Sequence, residues 1–186
     1  LIHYLSNKYA DSRHLSGIGT RYVPSSLGVA SGRDMVPIWT FDLPKSRERF
    51  RAFRGKSKEE WITNTRHSNA NITFHNVDLL KVSDDEFARF FSTWFVMLDT
   101  HHLPDTVPFE REFMSRLLRK ELSFREVLLL DDIHLNQEMK RWWKELQEDA
   151  PKYNYRALHL TECGHYSGTG LLDFSGEVDF MPLSSS

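Results

Sequence analysis

Aspartates follow several apolar segments of this sequence, and they are the residues best suited to chemistry. Each segment is typical of a buried strand, and the acids stand within two residues of its end: Asp42, Asp78, Asp99, and Asp131 with Asp132. In a parallel α/β sheet the carboxyl ends of the strands share one edge, and ligands bind along it. Acids at four consecutive strand ends therefore predict a binding site there, because solvation explains one exposed acid more easily than four.

Asp99, Asp131 and Asp132 predict a metal site if the fourth and fifth strands are neighbours. Converging carboxylates repel one another and raise one another's pKa, and a hard divalent cation relieves that repulsion. Mg²⁺ suits an oxygen-only site that water or substrate oxygens complete. The alternative is that Asp132 caps the following helix while Asp131 faces solvent.

Two histidines, His101 and His102, follow Asp99 and are candidate general bases. A metal-bound hydroxyl has a lowered pKa, and an imidazole three residues past a metal ligand could take its proton. The alternative is that both are loop histidines exposed to water. His134 and His165 are secondary candidates, because each lies near a predicted strand end or turn.

Gly17, Gly19 and Thr20 belong to a glycine-containing turn that leads from the first predicted strand into a helix. Glycine lets a backbone approach a ligand closely, and a helix N-terminus favours negative charge. The full G-x-G-x-x-G fingerprint is missing, because Val23 and Pro24 follow where glycine is wanted. A nicotinamide-dependent dehydrogenase is therefore disfavoured.

The elements that must position these residues alternate between strand-like and helix-like segments, which is typical of an α/β fold. Strands are predicted at 14–18, 36–41, 71–76, 94–98, 126–130, 156–161 and 170–174, and helices at 22–31, 46–53, 57–65, 84–91, 108–120 and 136–148. The last two strands flank a glycine-rich segment, 164–170, and predict an antiparallel hairpin at the sheet edge. Ser57 with Glu60, and Ser83 with Glu86, have the spacing of a helix capping box.

The composition predicts one ordered globular domain over residues 1–186, with 40% apolar and 27% charged residues. A net charge of −2 argues against a general nucleic-acid-binding protein, which usually has a basic face. The one cysteine, Cys163, excludes an internal disulfide and fits a cytoplasmic or other reducing intracellular compartment. No apolar segment is long enough to span a bilayer, and no signal peptide is visible, so no membrane partner is expected.

With these motifs in order, the chain resembles class I S-adenosylmethionine-dependent methyltransferases. It is most similar to the metal-dependent O-methyltransferases of catechol, macrolide-sugar and cephalosporin-hydroxylase-like type. The resemblance runs from about Leu15 to Phe174. It implies a Rossmann-like α/β fold: a mostly parallel seven-stranded sheet with a C-terminal antiparallel hairpin, helices on both faces, and S-adenosylmethionine over the first strands.

The resemblance also implies a role for each candidate residue. The cofactor-binding set consists of Gly17, Gly19 and Thr20 in the first loop, Asp42 on the cofactor ribose, and Asp78 near the adenine edge. The metal ligands would be Asp99, Asp131 and Asp132, and the general base would be His102, with His101 beside it.

We therefore expect an O-methyltransferase that uses S-adenosylmethionine and Mg²⁺ to methylate the hydroxyl of a small molecule, a sugar or a catechol-like ring. Two further functions stay open. The first loop lacks the family's acid near Gly17, and Val23 and Pro24 alter it, as in a non-catalytic binding or assembly module with a degenerate cofactor loop. Metal-dependent chemistry on another ligand is the third possibility. A homo-oligomer is compatible with the abundant aromatic residues.

Overall fold

The computed structural model describes residues 15–19, 37–63, 71–100, 107–119, 124–160 and 166–179. Within these ranges lie seven strands, β1 (Leu15–Ile18), β2 (Ile38–Asp42), β3 (Ile72–Asn76), β4 (Phe95–Leu98), β5 (Val127–Leu130), β6 (Arg156–His159) and β7 (Gly170–Asp173), and five helices, α1 (Pro44–Arg54), α2 (Lys58–Thr63), α3 (Asp84–Phe90), α4 (Val107–Leu117) and α5 (Gln137–Tyr153). All of them occur where the sequence pattern predicts them, to within a few residues. The helix predicted at 22–31 lies outside the described residues.

The predicted fold class is confirmed: the chain has a seven-stranded, mostly parallel sheet with an antiparallel C-terminal pair, together with helices. The chain divides into two compact units, a first unit over Ile2–Thr93 and a second over Trp94–Ser186. That residues 1–186 act as one domain stays a prediction.

In the first unit the strand order is β3-β2-β1, and both pairs are parallel. Ile38 of β2 lies beside Leu15 of β1 on one side and Ile72 of β3 on the other. Phe41, also on β2, is buried and stacks on His75 with ring centroids 5.0 Å apart. This packing holds the carboxyl end of β2, whose last residue is Asp42.

In the second unit the order is β4-β5-β7-β6. Strands β4 and β5 are parallel, while β7 runs antiparallel to both β5 and β6, as the sequence predicts for the C-terminal hairpin. The residues of β4, β5 and β7 are buried throughout, as continuous apolar segments in a central sheet should be. Gly170, the first residue of β7, packs against the Trp143 ring. A Cβ atom added at this position would lie 2.6 Å from that ring, so a larger residue would overlap with it.

Local hydrogen bonds begin the helices where the capping patterns predict. The Ser57 and Glu60 capping box is complete, because each backbone N–H donates to the other residue's side chain. Ser83 accepts from the Glu86 backbone N–H at the start of α3. None of the helices in the described ranges is long and apolar enough to cross a membrane.

Helix α5 is longer than predicted. It begins after Asn136, whose side chain accepts from the Met139 backbone N–H at 3.0 Å, and it continues through Pro151 to Tyr153. Asn154 ends it in the left-handed conformation with φ of 55°. A proline in the last turn removes one backbone donor, but the buried face formed by Met139, Trp142, Trp143 and Leu146 holds the helix in place.

Candidate functional site

The carboxyl ends of β1 and β2 bring Gly19 and Asp42 close together. Gly17 lies inside β1, paired with Thr40 in register, and Gly19 follows the strand. The Gly19 backbone N–H donates to the Phe41 carbonyl at 3.0 Å, one residue before Asp42. Gly19 has φ of 81°, a left-handed conformation that side chains disfavour, so the turn requires glycine. Thr20 lies outside the described residues.

Asp42 is engaged by a residue that the sequence analysis did not single out. The Lys58 ammonium, at the start of α2, donates to Asp42 Oδ2. The side chains of Lys58 and Asp42 are only 4% and 8% exposed, so this ion pair is buried. The predicted ribose-binding acid therefore already has a charged neighbour within the first unit.

Asp78 forms a local turn. Its Oδ1 accepts from the Leu80 backbone N–H at 3.2 Å, and its Oδ2 forms an ion pair with Lys81 at 3.0 Å. Lys81 is 82% exposed, so this second contact is a surface ion pair of small energetic weight. These contacts explain Asp78 as an element of the loop after β3, and its role at the adenine edge stays a prediction.

In the second unit, Asp99 and Asp131 follow neighbouring parallel strands. Leu98 and Leu130 are partners in register, and the Asp131 backbone N–H donates to the Leu98 carbonyl at 3.1 Å. Both aspartates are partly buried. The structure therefore brings their positions together at the carboxyl ends of β4 and β5, which meets the condition that the predicted metal site set for these two strands.

Asp132 makes a different contact. Its Oδ1 accepts a hydrogen bond from the Ser167 hydroxyl, and its own φ of 56° is left-handed. The alternative in which Asp132 caps the following helix is wrong, because Asn136 provides that cap. Over the part of the chain that the structure describes, no group of three or more His, Cys, Asp or Glu residues is arranged to hold a metal ion.

Of the four candidate histidines, only His134 lies within the described residues. His101 and His102, the candidate bases, and His165 lie outside the described residues. His134 packs edge-on against His159, with ring centroids 4.5 Å apart. Loss of some hydration and the neighbouring His134 lower the pKa of His159.

Glu110 is a second residue that sequence reasoning missed. It lies on α4 with 0% exposure, and it accepts a hydrogen bond from the Thr100 hydroxyl, directly after Asp99. Neither Glu110 nor Lys58 could be recognised from sequence, because each stands in a helical segment where a charged residue usually faces water. Ser167 could have been suspected, since it lies in the glycine-rich segment beside β7.

Comparison with solved structures identifies the fold. The O-methyltransferase TomG from Streptomyces achromogenes, in complex with S-adenosylmethionine, matches with a TM-score of 0.57 and 17% identity over 92% of this chain and 77% of that chain. Cofactor-bound Rv0187 from MTB matches with a TM-score of 0.60 and 12% identity over 94% and 78%. A precorrin-6y C5,15-methyltransferase from Geobacter metallireducens matches with a TM-score of 0.56 and 11% identity over 92% and 84%.

The fold is therefore that of class I S-adenosylmethionine-dependent methyltransferases, as the sequence motifs predict. No protein-family model matches the sequence, and no curated protein is significantly similar to it. At these low identities the likeness establishes the fold, and the activity must be argued from the residues themselves.

Proposed function

We propose that this protein transfers a methyl group from S-adenosylmethionine to the hydroxyl of a small molecule, such as a sugar or a catechol-like ring. The observation that carries the proposal is the hydrogen bond from the Gly19 N–H to the Phe41 carbonyl, which holds Gly19 next to the end of β2 and Asp42. The fold supports it, since the solved structures that it resembles include an O-methyltransferase in complex with that cofactor.

The residues of the first unit fit the cofactor. Gly19 adds no side chain and lets the backbone approach a ligand closely. Asp42 would offer its carboxylate to hydroxyl donors beside the Lys58 ammonium, which already donates to Oδ2. When bound, S-adenosylmethionine supplies a methyl group on a positively charged sulfur. The protein contributes mostly orientation and charge placement to such a transfer.

The acceptor side depends on the loop after β4. A methyl transfer to an acceptor hydroxyl would require residues of this chain to orient that hydroxyl and to take its proton. The hydroxyl proton must leave, and by the resemblance His102, with His101 beside it, is the residue that would take it. Glu110 accepts from the hydroxyl of Thr100, which directly precedes both histidines in the sequence.

A requirement for Mg²⁺ is a second, more specific part of the proposal. The three-aspartate site gains no support from the described residues, and Asp132 is engaged by Ser167. Mg²⁺ is often bound by one or two carboxylates, with water and substrate oxygens completing its shell. Asp99 and Asp131 would supply such a pair, so we propose a divalent-ion requirement that rests on these two residues.

The first experiment measures S-adenosylmethionine binding by titration calorimetry, with and without Mg²⁺. We expect binding by the wild-type protein and an affinity loss of about 10-fold to 100-fold in Asp42→Asn, because a charged acceptor of hydroxyl donors is lost. Asp85→Asn is the matched control, since Asp85 is an exposed acid in the first turn of α3.

Methyl transfer is then measured with labelled cofactor against sugars and catechols, with Mg²⁺ and with a chelator. If the wild-type protein binds no S-adenosylmethionine, with Mg²⁺ or without it, the methyltransferase proposal is contradicted. That result would favour a binding or assembly module. Methyl transfer that continues in the presence of the chelator would contradict the proposed magnesium requirement. The proposed methyltransferase activity would still stand.

A further inference from the structure

The ion pair between Lys58 and Asp42 engages the acid that the resemblance assigns to the cofactor ribose. Lys58 is the first residue of α2 and is 3% exposed, although a lysine at this position of a helix usually faces water. Its ammonium donates to Asp42 Oδ2 and lies 5.6 Å from the centre of the Phe50 ring. Two separate contacts therefore hold the charge inside the first unit.

The carboxylate of Asp42 has to serve two kinds of donor. A ribose diol binds a carboxylate through two hydroxyl groups, and each gains strength from the full negative charge of the acceptor. The Lys58 ammonium occupies one of the same oxygens and offsets that charge. A ribose that binds Asp42 must displace the ammonium or share the carboxylate with it.

We propose that Lys58 limits the affinity of this site for ligands that carry a vicinal diol, by competing for Asp42. The inference rests on the proposed function, because it requires the cofactor ribose to bind at Asp42. Lys58 is a positioning residue that acts through Asp42, and it sets how readily an adenosine-containing ligand is exchanged.

The alternative explanation is that Lys58 has only a structural role and stabilises the turn between α1 and α2. Removing one partner of a buried ion pair leaves the other charge uncompensated, so this role predicts a less stable protein with the same or a weaker affinity. Competition predicts a less stable protein with a higher affinity. The sign of the change in affinity therefore separates the two explanations.

The test compares wild-type protein with Lys58→Met by titration calorimetry, using S-adenosylhomocysteine and its 2′-deoxy analogue as probes. We expect Lys58→Met to bind S-adenosylhomocysteine about fivefold to tenfold more tightly than wild type, with little change for the 2′-deoxy analogue. Lys58→Arg should restore the wild-type affinity. Lys56→Met is the control, since Lys56 is an exposed lysine two residues away.

Circular dichroism checks that each variant is folded. If Lys58→Met does not fold, Lys58→Gln replaces the ammonium with a neutral donor and should tighten binding in the same direction by a smaller factor. Equal or weaker binding by a folded variant, when wild type binds the probe, overturns the inference and leaves the proposed function standing. Absence of binding in wild type and in every folded variant overturns both.

Discussion

Two glycines with the same kind of backbone conformation have very different surroundings. Gly55 and Gly168 have φ of 68° and 86°, so both are left-handed. Gly55 follows α1, and apart from its two chain neighbours an added Cβ atom would have no heavy atom of the described residues within 4 Å. At Gly168 the added Cβ atom would lie 2.7 Å from His134 Cδ2 and 2.9 Å from Ile133 Cγ1. The pair separates backbone strain from steric overlap.

We expect Gly55→Ala to lower the free energy of unfolding by about 1–2 kcal/mol, the cost of a left-handed alanine. Gly168→Ala should lose that amount and about 1–3 kcal/mol more, because Ile133 and His134 must move. Urea denaturation measures both values. Equal losses in the two variants would contradict the packing described around Gly168.

The candidate acids could be predicted from sequence because each follows an apolar strand, and the position after a strand is a local property of the chain. What holds each acid is not local. Lys58 reaches Asp42 from 16 residues away, and Ser167 reaches Asp132 from 35 residues away. Such partners become visible only when the chain is folded, so the sequence located the acids and missed their neighbours.

At the scale of elements, an ion pair joins α4 to α5. Arg111 donates to both carboxylate oxygens of Glu145, with the Nη2–Oε1 distance at 3.1 Å. This hydrogen bond and the charge of Arg111 lower the pKa of Glu145. Both side chains are more than a third exposed, so solvent screening keeps the contribution small.

We expect Glu145→Gln to reduce the free energy of unfolding by about 0.5 kcal/mol at neutral pH. Because the folded-state pKa is lowered, the unfolded chain binds more protons, and the stabilisation is present above the unfolded pKa near 4.5. It is lost as the pH falls through the folded pKa, so wild type and variant should converge in acid. Denaturant unfolding across this pH range measures the difference.

Glu148→Gln is the control for that series, since Glu148 contacts Lys144 of its own helix at 3.6 Å. A Glu145→Gln difference that stays constant into acid would contradict the pairing with Arg111.

Element boundaries were predictable where local chemistry fixes them, as in the capping box of Ser57 and Glu60. They were less predictable where tertiary packing decides. Helix α5 was expected to end near Glu148 but continues to Tyr153, where Asn154 ends it in the left-handed conformation and its backbone N–H donates to the Ala150 carbonyl. The order in which the strands pair is likewise a property of the whole fold, and no single segment of the sequence specifies it.

For the whole molecule, ligand binding should appear as added stability. If S-adenosylmethionine binds only the folded state, at 100 times its dissociation constant it adds about 2.7 kcal/mol to the free energy of unfolding. For a protein of 186 residues this corresponds to a rise in Tm of about 5–10 °C. Differential scanning fluorimetry measures the rise.

Adenosine triphosphate is a suitable comparison ligand for that experiment, because it shares the adenosine and lacks the sulfonium-bearing amino-acid part. An unchanged Tm at high cofactor concentration, or an equal rise with both ligands, would contradict specific binding of S-adenosylmethionine.

Strand β6 is the last in the strand order of the second unit, and it is only four residues long. Arg156 and His159, at its two ends, are exposed, and the Arg156 guanidinium is bonded to Asp173 and to the Val178 carbonyl. A short edge strand with a charged residue at one end is a poor template for pairing with a strand of another chain. Edge-to-edge pairing of further chains through β6 is therefore disfavoured while β6 stays folded. The fibrous aggregation that begins with such pairing is disfavoured for the same reason.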